Sequence, residues 1–493
     1  LHPETRRLML RATEAAQHLT LKLVVRSNTE NTGATGVLRV EHPPGWQVEP
    51  PQIDLALGPV GDAQTAKFEV TIPPDVPPGQ YPLRYIVNSG GRDYDVVLEP
   101  VRLGAPGLPY LPDGATCIKE AFITKPAEVT VQVIDITFMP DLKYAYVEGA
   151  GDKMMTALSH FGLNFHRVSD DELDFIDLSQ FDAVVIGPNA YLVRDNLRKN
   201  GARFLTYVEQ GGTLIVQYQA YGYQDGDFAP YPFRYHQPHD RVTYEDAPVT
   251  LLAPDHPLVN LPNKITATDF DDWVIERGLY FFGEWDPRYE PMLAANDPGE
   301  EAKRGGMLVA GYGRGTYVYA AYSFFRQLPA GVPGAFRLLA NLLSLPAARI
   351  LKRTTLLKDV SIFAFMDETQ LRAVAQIMSE RWLATESWLG HEGDVEDEMY
   401  VITQGAVEII RESSADQVIH VAQPGEVIGE MEVLGHIPRA AAMRAKGQVH
   451  LLVISGGDFR ALMQTYPDMS ARVIQMLVDK MLVTGRENHE EVI

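Results

Sequence analysis

The chain has 493 residues, of which 45% are hydrophobic and 22% charged, and its 43 basic and 65 acidic side chains leave a formal net charge of −22. This length predicts about three or four globular domains, and the composition excludes a disordered or collagen-like chain. So acidic a chain lacks the basic surface that nucleic-acid binding needs, and no apolar run reaches the ~18 residues of a membrane-spanning helix. Its one cysteine, Cys117, excludes an internal disulfide. We therefore expect a cytoplasmic protein that binds no nucleic acid and does not insert into a membrane.

The N-terminal part of the chain changes pattern twice. Residues 1–18 predict a short helix, with Leu8 and Leu10 on a weakly apolar face. From residue 19 to 103, apolar and polar residues alternate in short runs separated by Pro- and Gly-rich turns. This pattern predicts an all-β sandwich of the immunoglobulin-like type. Residues 104–128, which begin with Gly-Ala-Pro-Gly-Leu-Pro, predict a linker.

The rest of the chain predicts two further domains. Residues 129–346 alternate near-continuous apolar strands with helices, which is typical of a parallel α/β sheet of the flavodoxin-like type. The last helix of this region, over 334–345, is expected to end at Pro346. Residues 356–485 contain a helix, short strands with glycine turns, and two closing helices. They predict a β-roll with flanking helices.

The segment with the strongest chemical signal is PGEVIGEMEVLGHIPRAAAMRA, over 424–445. Gly429 lets the backbone turn close to a ligand, and the free amides of a helix start at Glu430 would face an anion. Arg439 follows nine residues after Glu430, on the return of the loop. An arginine beside bare amides is suited to a phosphate, and a carboxylate accepts hydrogen bonds from sugar hydroxyls. Together these residues predict a site for a small phosphorylated sugar.

This segment resembles the phosphate-binding cassette of cyclic nucleotide-binding domains, whose pattern is roughly F-G-E-hydrophobic-A-L-x-x-x-x-P-R-A-A. The residues that fall in register are Gly429, Glu430, Met431, Val433, Leu434, Pro438, Arg439, Ala440 and Ala441. The stretch over 391–410 is similar to the family's E-G-D…Y-h-h-x-x-G-x-h-x-h pattern. The resemblance covers about residues 356–485. It implies that Glu430 binds the ribose 2′-hydroxyl, and that Arg439 and the amides of 429–431 bind the cyclic phosphate.

Two positions of the cassette bear on the ligand. Ala440 stands where guanosine-selective members often carry Thr, so the resemblance implies cyclic AMP rather than cyclic GMP. Glu432 stands where the family usually has a small residue, and a second carboxylate near a phosphate is unfavourable unless it points to solvent. This departure leaves open the alternative that the β-roll is structural and has lost its ligand.

The end of the chain bears on partners. Only about 30 residues follow Phe459, which is too few for the helix-turn-helix domain of many bacterial relatives. The final helix carries Val473, Leu477 and Met481 on one stripe. Such a stripe is either core or the seam of a homodimer, and the resemblance places a lid and dimer helix there.

The central domain resembles class I glutamine amidotransferase-like folds, in a noncatalytic form. The elbow at 186–190, Ile-Gly-Pro-Asn-Ala, has no cysteine where catalytic relatives carry one. Residues 19–345 also resemble the C-terminal accessory region of bacterial PIG-L/LmbE-like deacetylases. The zinc motif of those enzymes, His-Pro-Asp-Asp, does not occur here, and Asp255-His256-Pro257 is only a superficial echo of it. We therefore expect no metal site and no catalytic residue in this chain.

Acids, arginines and tryptophans are dense between residues 256 and 288, a set suited to a sugar-binding cleft. The alternative is a solvated loop with local ion pairs. The residues concerned are His256, Asp269, Asp271, Asp272, Trp273, Glu276, Arg277, Trp285, Asp286 and Arg288, with Tyr221 as a further candidate.

Three functions stay open from the sequence. The first is a regulator that binds cyclic AMP at its C-terminal domain and transmits the signal to noncatalytic upstream domains. The second is the accessory part of a larger zinc-dependent N-acetylglucosamine deacetylase, whose catalytic domain would precede Leu1. The third is an interaction protein with a ligand-free β-roll.

Overall fold

A computed structural model describes residues 1–28, 33–103, 119–163, 165–435, 437–475 and 478. The chain forms two compact units. The first comprises Leu1–Ile136, Met154–Leu163 and Leu328–Pro333, and the second comprises Thr137–Lys153, Asn164–Gln327 and Gly334–Ile493.

The first unit is built from two sheets packed face to face, with strand orders β1-β3-β7-β5 and β2-β12-β8-β4-β6, and β9 beside β8. Alternate side chains of these strands point inward, so that Leu23, Phe68, Leu83 and Val129 are fully buried between the sheets. The unit is therefore β-rich, as the alternation predicts. The strands are β1 (His2–Pro3), β2 (Arg7–Arg11), β3 (Gln17–Arg26), β4 (Ala34–Glu41), β5 (Gln47–Glu49), β6 (Gln52–Leu57), β7 (Ala63–Ile72), β8 (Gly79–Ser89), β9 (Arg92–Tyr94), β10 (Val96–Leu103), β11 (Lys119–Pro126) and β12 (Glu128–Ile134).

Three boundaries of the predicted organisation are wrong. The predicted helix over 1–18 consists of β1, β2 and the start of β3, and β2 pairs in parallel with β12. The linker predicted over 104–128 includes β11, which pairs antiparallel with β10, while 104–118 lies outside the described residues. The strand at 128–134 pairs with β8 of the sandwich. In all three cases the segment is a strand because it pairs with another strand, and a local sequence pattern does not show such pairing.

The central part of the second unit is a seven-stranded sheet with the order β14-β13-β15-β16-β25-β24-β22. The first five strands of that order are parallel, and β13, β15 and β16 are buried along their whole length. The chain elements here are β13 (Tyr144–Val147), α1 (Met154–Ser159), β14 (Phe165–Arg167), β15 (Ala183–Ile186), α2 (Ala190–Val193), α3 (Asp195–Lys199), α4 (Gly201–Glu209) and β16 (Thr213–Gln217).

The long segment that separates β16 from the last two central strands forms short pairs rather than an open loop. Three two-stranded pairings, β17 with β21, β18 with β20 and β19 with β23, hold it together. Its elements and those that follow are β17 (Phe233–Arg234), β18 (Asp240–Val242), β19 (Val249–Leu251), α5 (Pro257–Asn260), β20 (Gly278–Phe281), β21 (Glu284–Trp285), β22 (Glu290–Pro291), β23 (Leu293–Ala295), β24 (Met307–Tyr312), β25 (Gly315–Ala320), α6 (Phe324–Ala330) and α7 (Pro333–Leu357).

The helix α7 corrects the expectation that Pro346 ends a helix. It continues through Pro346 to Leu357, so the boundary expected near 346–356 is helical. The side chains of Ile350, Leu356 and Leu357 pack into the core of the following domain. By length and composition α7 would suffice to cross a membrane, but 72% of its most apolar window is buried inside the protein. In this structure α7 is a core helix.

The C-terminal part of the second unit is an antiparallel β-roll with the strand order β26-β31-β28-β29, in which β27 pairs with β31 and β30 with β28. A capping box at Asp367 and Gln370 fixes the start of α8. Its elements are α8 (Glu368–Ile377), β26 (Ser379–Leu383), β27 (Trp388–Gly390), β28 (Glu398–Arg411), β29 (Gln417–Ala422), β30 (Val427–Ile428), α9 (Glu430–Gly435), β31 (Ala442–Ser455) and α10 (Gly456–Thr465).

A further helix covers residues 467–475. Its Val473 is fully buried in the core between α8 and the roll. Leu477 and Met481, the other members of the predicted stripe, lie outside the described residues. The homodimer stays a prediction.

Candidate functional site

The turn between β30 and α9 has the backbone that the sequence predicts. Gly429 has a φ of +82°, a conformation that side chains with a Cβ rarely adopt. A Cβ at this position would lie 2.9 Å from both Arg439 Nη1 and the Glu398 carbonyl oxygen. Glycine is therefore needed at this position for two reasons, the positive φ and the close approach of Arg439.

Arg439 lies inside the roll, and its side chain has no exposed surface. Its Nη2 donates to Glu396 Oε2 at 2.8 Å, and its Nε donates to the same oxygen at 3.2 Å. Nη2 also lies 3.3 Å from the Glu398 carbonyl oxygen and 3.4 Å from the Tyr400 hydroxyl. Arg439 is thus held in one orientation, with a carboxylate of the same chain as its counter-ion. Glu396 itself is 37% exposed.

Glu432 does not point to solvent. The residue is 9% exposed, and its Oε1 accepts a hydrogen bond from the Ala440 amide at 3.4 Å. The Ala440 side chain is exposed. The carboxylate of Glu432 is therefore not kept away from the cassette by pointing to solvent. Instead, Glu432 folds back onto a backbone amide of the cassette.

The remaining cassette residues have different surroundings. Glu430 begins α9 and is 5% exposed. Met431 is half-buried and packs against the apolar core that contains Val433 and Met399, so Met431 contributes packing as well as its amide. The structure thus brings Gly429, Glu430 and Arg439 together at one turn.

Glu396 takes hydrogen bonds from Arg439, a donor that the resemblance assigns to the phosphate, and Glu432 takes one from the amide of the next residue, Ala440. Sequence reasoning identified Glu432 but missed Glu396. The only local signal for it was the acidic run Glu396-Asp397-Glu398 shortly before Tyr400. Neighbours in that run have other partners: Asp397 pairs with Arg460.

The residues of the expected sugar cleft do not form one open surface. Asp269 pairs with Arg337 at 2.7 Å, and Glu276 pairs with Arg326 at 2.6 Å. Trp273 and Arg277 are buried, whereas Asp271 and Asp272 are exposed. Four residues of this set, Asp269, Trp273, Glu276 and Arg277, therefore lie inside the domain.

Other members of the set lie apart from that buried group. Asp286 pairs with Arg288 at 2.8 Å, and the Arg288 guanidinium lies over the Tyr231 ring, 3.7 Å from its centroid. The Tyr221 hydroxyl accepts from the His239 amide at 2.8 Å. A carbohydrate ligand stays a prediction that these contacts do not test.

The strand-to-helix elbow of the central domain keeps a left-handed residue. Asn189 has a φ of +53°, and its Oδ1 accepts a hydrogen bond from the Ala220 amide at 2.9 Å. Asn tolerates this conformation better than most residues. Cys117 lies outside the described residues. Over the part of the chain that the structure describes, no group of three or more His, Cys, Asp or Glu side chains is placed to hold a metal ion.

Comparison with known families gives two matches. Residues 380–466 match the model of the cyclic nucleotide-binding domain. Residues 13–89 match the NPCBM-associated NEW3 domain of alpha-galactosidase. The second match falls within the β-rich first unit.

The chain is similar to curated proteins over short stretches. It is 35% identical over 66 residues to an uncharacterized ABC transporter ATP-binding protein of Mycobacterium bovis, covering 13% of this chain and 20% of that protein. It is 35% identical over 69 residues to the potassium channel AKT1 of Oryza sativa subsp. indica, covering 14% of this chain and 7% of the channel. The chain spans no more than 32% of the length of the first curated relatives that it matches.

Solved structures give the same kind of partial match. One is the N-terminal domain of a transcriptional regulator from Streptomyces coelicolor A3(2), with 29% identity, 27% of this chain and 93% of that chain covered, and a TM-score of 0.25. Another is the regulatory domain of Toxoplasma gondii PKA with cAMP, with 20% identity, 30% of this chain and 55% of that chain covered, and a TM-score of 0.26. The family match over 380–466 shows that the C-terminal part of this chain contains a cyclic nucleotide-binding domain.

Proposed function

We propose that this protein is a regulator that binds cyclic AMP in its C-terminal β-roll. The observation that carries the proposal is the buried guanidinium of Arg439, held against Gly429 at the turn that opens α9. A buried arginine fixed by several hydrogen bonds is pre-oriented for a phosphate. The half-exposed Glu396 is the group that the phosphate would displace.

Each cassette residue has a role in this proposal. Arg439 and the amides of 429–431 hold the cyclic phosphate, and Glu430 accepts the ribose 2′-hydroxyl. Ala440 has no hydroxyl to offer the exocyclic amino group of guanine, which favours adenine. Glu432 must release the Ala440 amide, or retain it and leave the phosphate to the other donors.

The signal would pass from the β-roll to the central sheet. Two contacts support this route. Arg314, in the turn between β24 and β25, lies 3.5 Å from Asp458 in the first turn of α10, and the Glu380 amide donates to the Gly313 carbonyl oxygen at 3.4 Å. A ligand that moves α10 would therefore change an ion pair with the central sheet. Such a shift requires that the ligand bind one of the two states more tightly.

The test is calorimetric titration of the full chain with cyclic AMP and cyclic GMP, using Arg439→Ala and the matched variant Arg444→Ala. Arg444 lies on β31, beyond the cassette residues that are in register, and pairs with Glu408 at 2.7 Å. We expect the unchanged chain and Arg444→Ala to bind cyclic AMP, and Arg439→Ala to have lost this binding. Thermal unfolding without ligand shows whether each variant is folded. The absence of heat with both nucleotides would refute the proposal and favour a ligand-free β-roll.

A second proposal concerns the parts of the chain before the β-roll. The match to a domain of alpha-galactosidase favours an accessory role in a larger carbohydrate-active protein, such as a PIG-L-type deacetylase. The order of the parallel strands, with the first strand between the second and third, supports a flavodoxin-like, amidotransferase-like central domain. The gene sequence before Leu1 tests this: a His-Pro-Asp-Asp motif in frame supports a deacetylase, and a stop codon there refutes it. A cytoplasmic location belongs to both proposals, and fractionation of cells tests it.

A further inference from the structure

A cavity of about 760 Å³ lies inside the second unit, between the central sheet and the β-roll. It is lined by none of the residues of the cassette segment 424–445. The central part contributes the end of α7 and the segment before α5, and the β-roll contributes β26 and neighbouring strands. This volume is within the range of small-molecule sites. The residues that carry the argument are His256, Arg349, Lys352, Arg353, Glu380 and Trp382.

One wall of the cavity carries two cations, Arg349 and Lys352. Arg349 donates through Nη1 to the Thr316 hydroxyl at 2.9 Å and through Nη2 to the Gly211 carbonyl oxygen at 2.7 Å. Both acceptors are neutral, and the buried Nε has no partner among the described residues. Lys352 lies about one turn further along α7, is exposed, and forms no ion pair with any described residue.

The surroundings of Arg349 disfavour its charge. Burial, and then the neighbouring Arg353, lower the pKa of Arg349 to about 10. A guanidinium in a desolvated place without a carboxylate is costly. The charge of Glu380 acts on Arg349 and opposes this lowering of its pKa, but the hydrogen bonds of Arg349 itself go to neutral acceptors.

The acidic group nearest in the cavity wall is already engaged. Glu380 Oε1 accepts from Arg353 Nη2 at 2.8 Å, and Glu380 Oε2 lies 3.4 Å from His450 Nε2. Arg353 Nη1 also donates to the Met378 carbonyl oxygen at 2.9 Å. Glu290 and Asp255 also line the cavity. Burial raises the pKa of Glu290 and the charge of Lys352 opposes that rise, so Glu290 is a carboxylate that acts on Lys352. Arg349 is therefore the cation of this wall whose hydrogen bonds go to neutral acceptors.

A neutral donor lies beside this wall. His256 Nδ1 accepts a hydrogen bond from the Leu258 amide at 3.1 Å, so the proton of the neutral ring resides on Nε2. Burial lowers the pKa of His256 to about 4. His256 is therefore an N–H donor at neutral pH, as Arg349 and Lys352 are.

We propose that this cavity is a second ligand site, which binds a small organic anion through Arg349, Lys352 and His256 Nε2. The anionic group is a carboxylate or a phosphate, because both accept from a guanidinium and an ammonium. The apolar part of the ligand packs on Trp382 and Leu345, which line the same cavity. Since the walls come from the central sheet and the β-roll, an occupied cavity ties the two together.

The experiment uses the full chain and three probes at constant ionic strength: inorganic phosphate, ribose 5-phosphate and succinate. Saturable stabilisation in a thermal-shift titration is expected with at least one probe, and the phosphate and succinate arms distinguish the two anionic groups. The variant Lys352→Gln removes a donor from the cavity. The matched variant Lys358→Gln removes an exposed lysine that follows α7 and does not line the cavity.

We expect Lys352→Gln to weaken binding of the probe by about tenfold or more, as the loss of a charge-assisted hydrogen bond does, and Lys358→Gln to leave it unchanged. The absence of saturable binding by all three probes would overturn the proposal. So would an equal loss in both variants, which indicates only a general electrostatic effect. Binding of cyclic AMP, measured in parallel on Lys352→Gln, reports on the cassette separately, so that failure at one site is distinguishable from failure at the other.

Discussion

The contact between Glu396 and Arg439 makes a specific prediction about affinity. If a phosphate must replace Glu396 at Arg439, then Glu396→Gln should bind cyclic AMP more tightly than the unchanged chain. The Gln side chain keeps a neutral oxygen near Arg439, so the guanidinium stays oriented. What is lost is the charge of the competing group.

The structure sets the size of the effect. Glu396 makes charge-assisted hydrogen bonds to Arg439 at 2.8 and 3.2 Å. A charge-assisted hydrogen bond contributes about 1.5–3 kcal/mol and a neutral one about 0.5–1.5 kcal/mol. Because Glu396 is 37% exposed, solvent screens the pair, and the difference belongs at the low end, about 1 kcal/mol. The expected gain in affinity is therefore about fivefold.

The assay is the dissociation constant for cyclic AMP from calorimetry, with Glu386→Gln as the matched control. Glu386 is exposed and pairs with Arg444 at 3.3 Å, not with Arg439. The substitution Glu386→Gln removes the same charge from the domain and leaves the contacts of Arg439 unchanged. Equal affinities of the two variants, or weaker binding by Glu396→Gln, would refute the idea that Glu396 occupies the phosphate position.

Three further predictions follow from contacts of single residues. Gly429→Ala should lose cyclic AMP binding and at least about 1 kcal/mol of stability, because of the φ of +82° and the 2.9 Å approach of Arg439; titration and urea unfolding measure the two effects, and unchanged values would contradict it. Glu432→Gln should bind cyclic AMP more tightly, because the substitution removes the negative charge beside the Ala440 amide. A larger dissociation constant would count against this. His256 is neutral when folded, with a pKa lowered to about 4, so its contribution to stability is present above its unfolded pKa of ~6.5 and is lost as pH falls toward 4. His256→Asn, which keeps an N-cap acceptor, should therefore show a smaller drop in Tm between neutral pH and the acid range, and an equal drop would contradict the burial of a neutral imidazole.

The sequence predicts the parts of this protein whose signals are local. The alternation over 19–103 and the apolar strands of the central sheet are present as strands because burial of one face or of both faces selects those patterns. The glycine at 429 was predicted from its turn, and the structure gives it the left-handed backbone that only such a residue adopts easily.

Other features depend on contacts between distant residues. Residues 7–11 pair with 130–134, and no local pattern announces a partner more than a hundred residues away. Pro346 lies within a helix because the buried faces of α7 hold it on both sides, against the usual effect of proline. Glu396 reaches Arg439 across 43 positions of the chain, so the carboxylate at the expected phosphate position was visible only in three dimensions.

Because α7 is continuous, its length also fixes the rotation of the β-roll about the helix axis relative to the central sheet. Its 25 residues span about 37 Å at 1.5 Å per residue, and each added residue rotates everything beyond it by about 100°. At its start, Gly334 lies so close to Asp269 that a Cβ would not fit, and at its end Leu357 is sealed in the β-roll core. The length of this helix is therefore under geometric constraint: one residue gained or lost between Pro346 and Arg349 would swing the arginine out of register with Thr316 and Gly211 while leaving the composition of both domains intact.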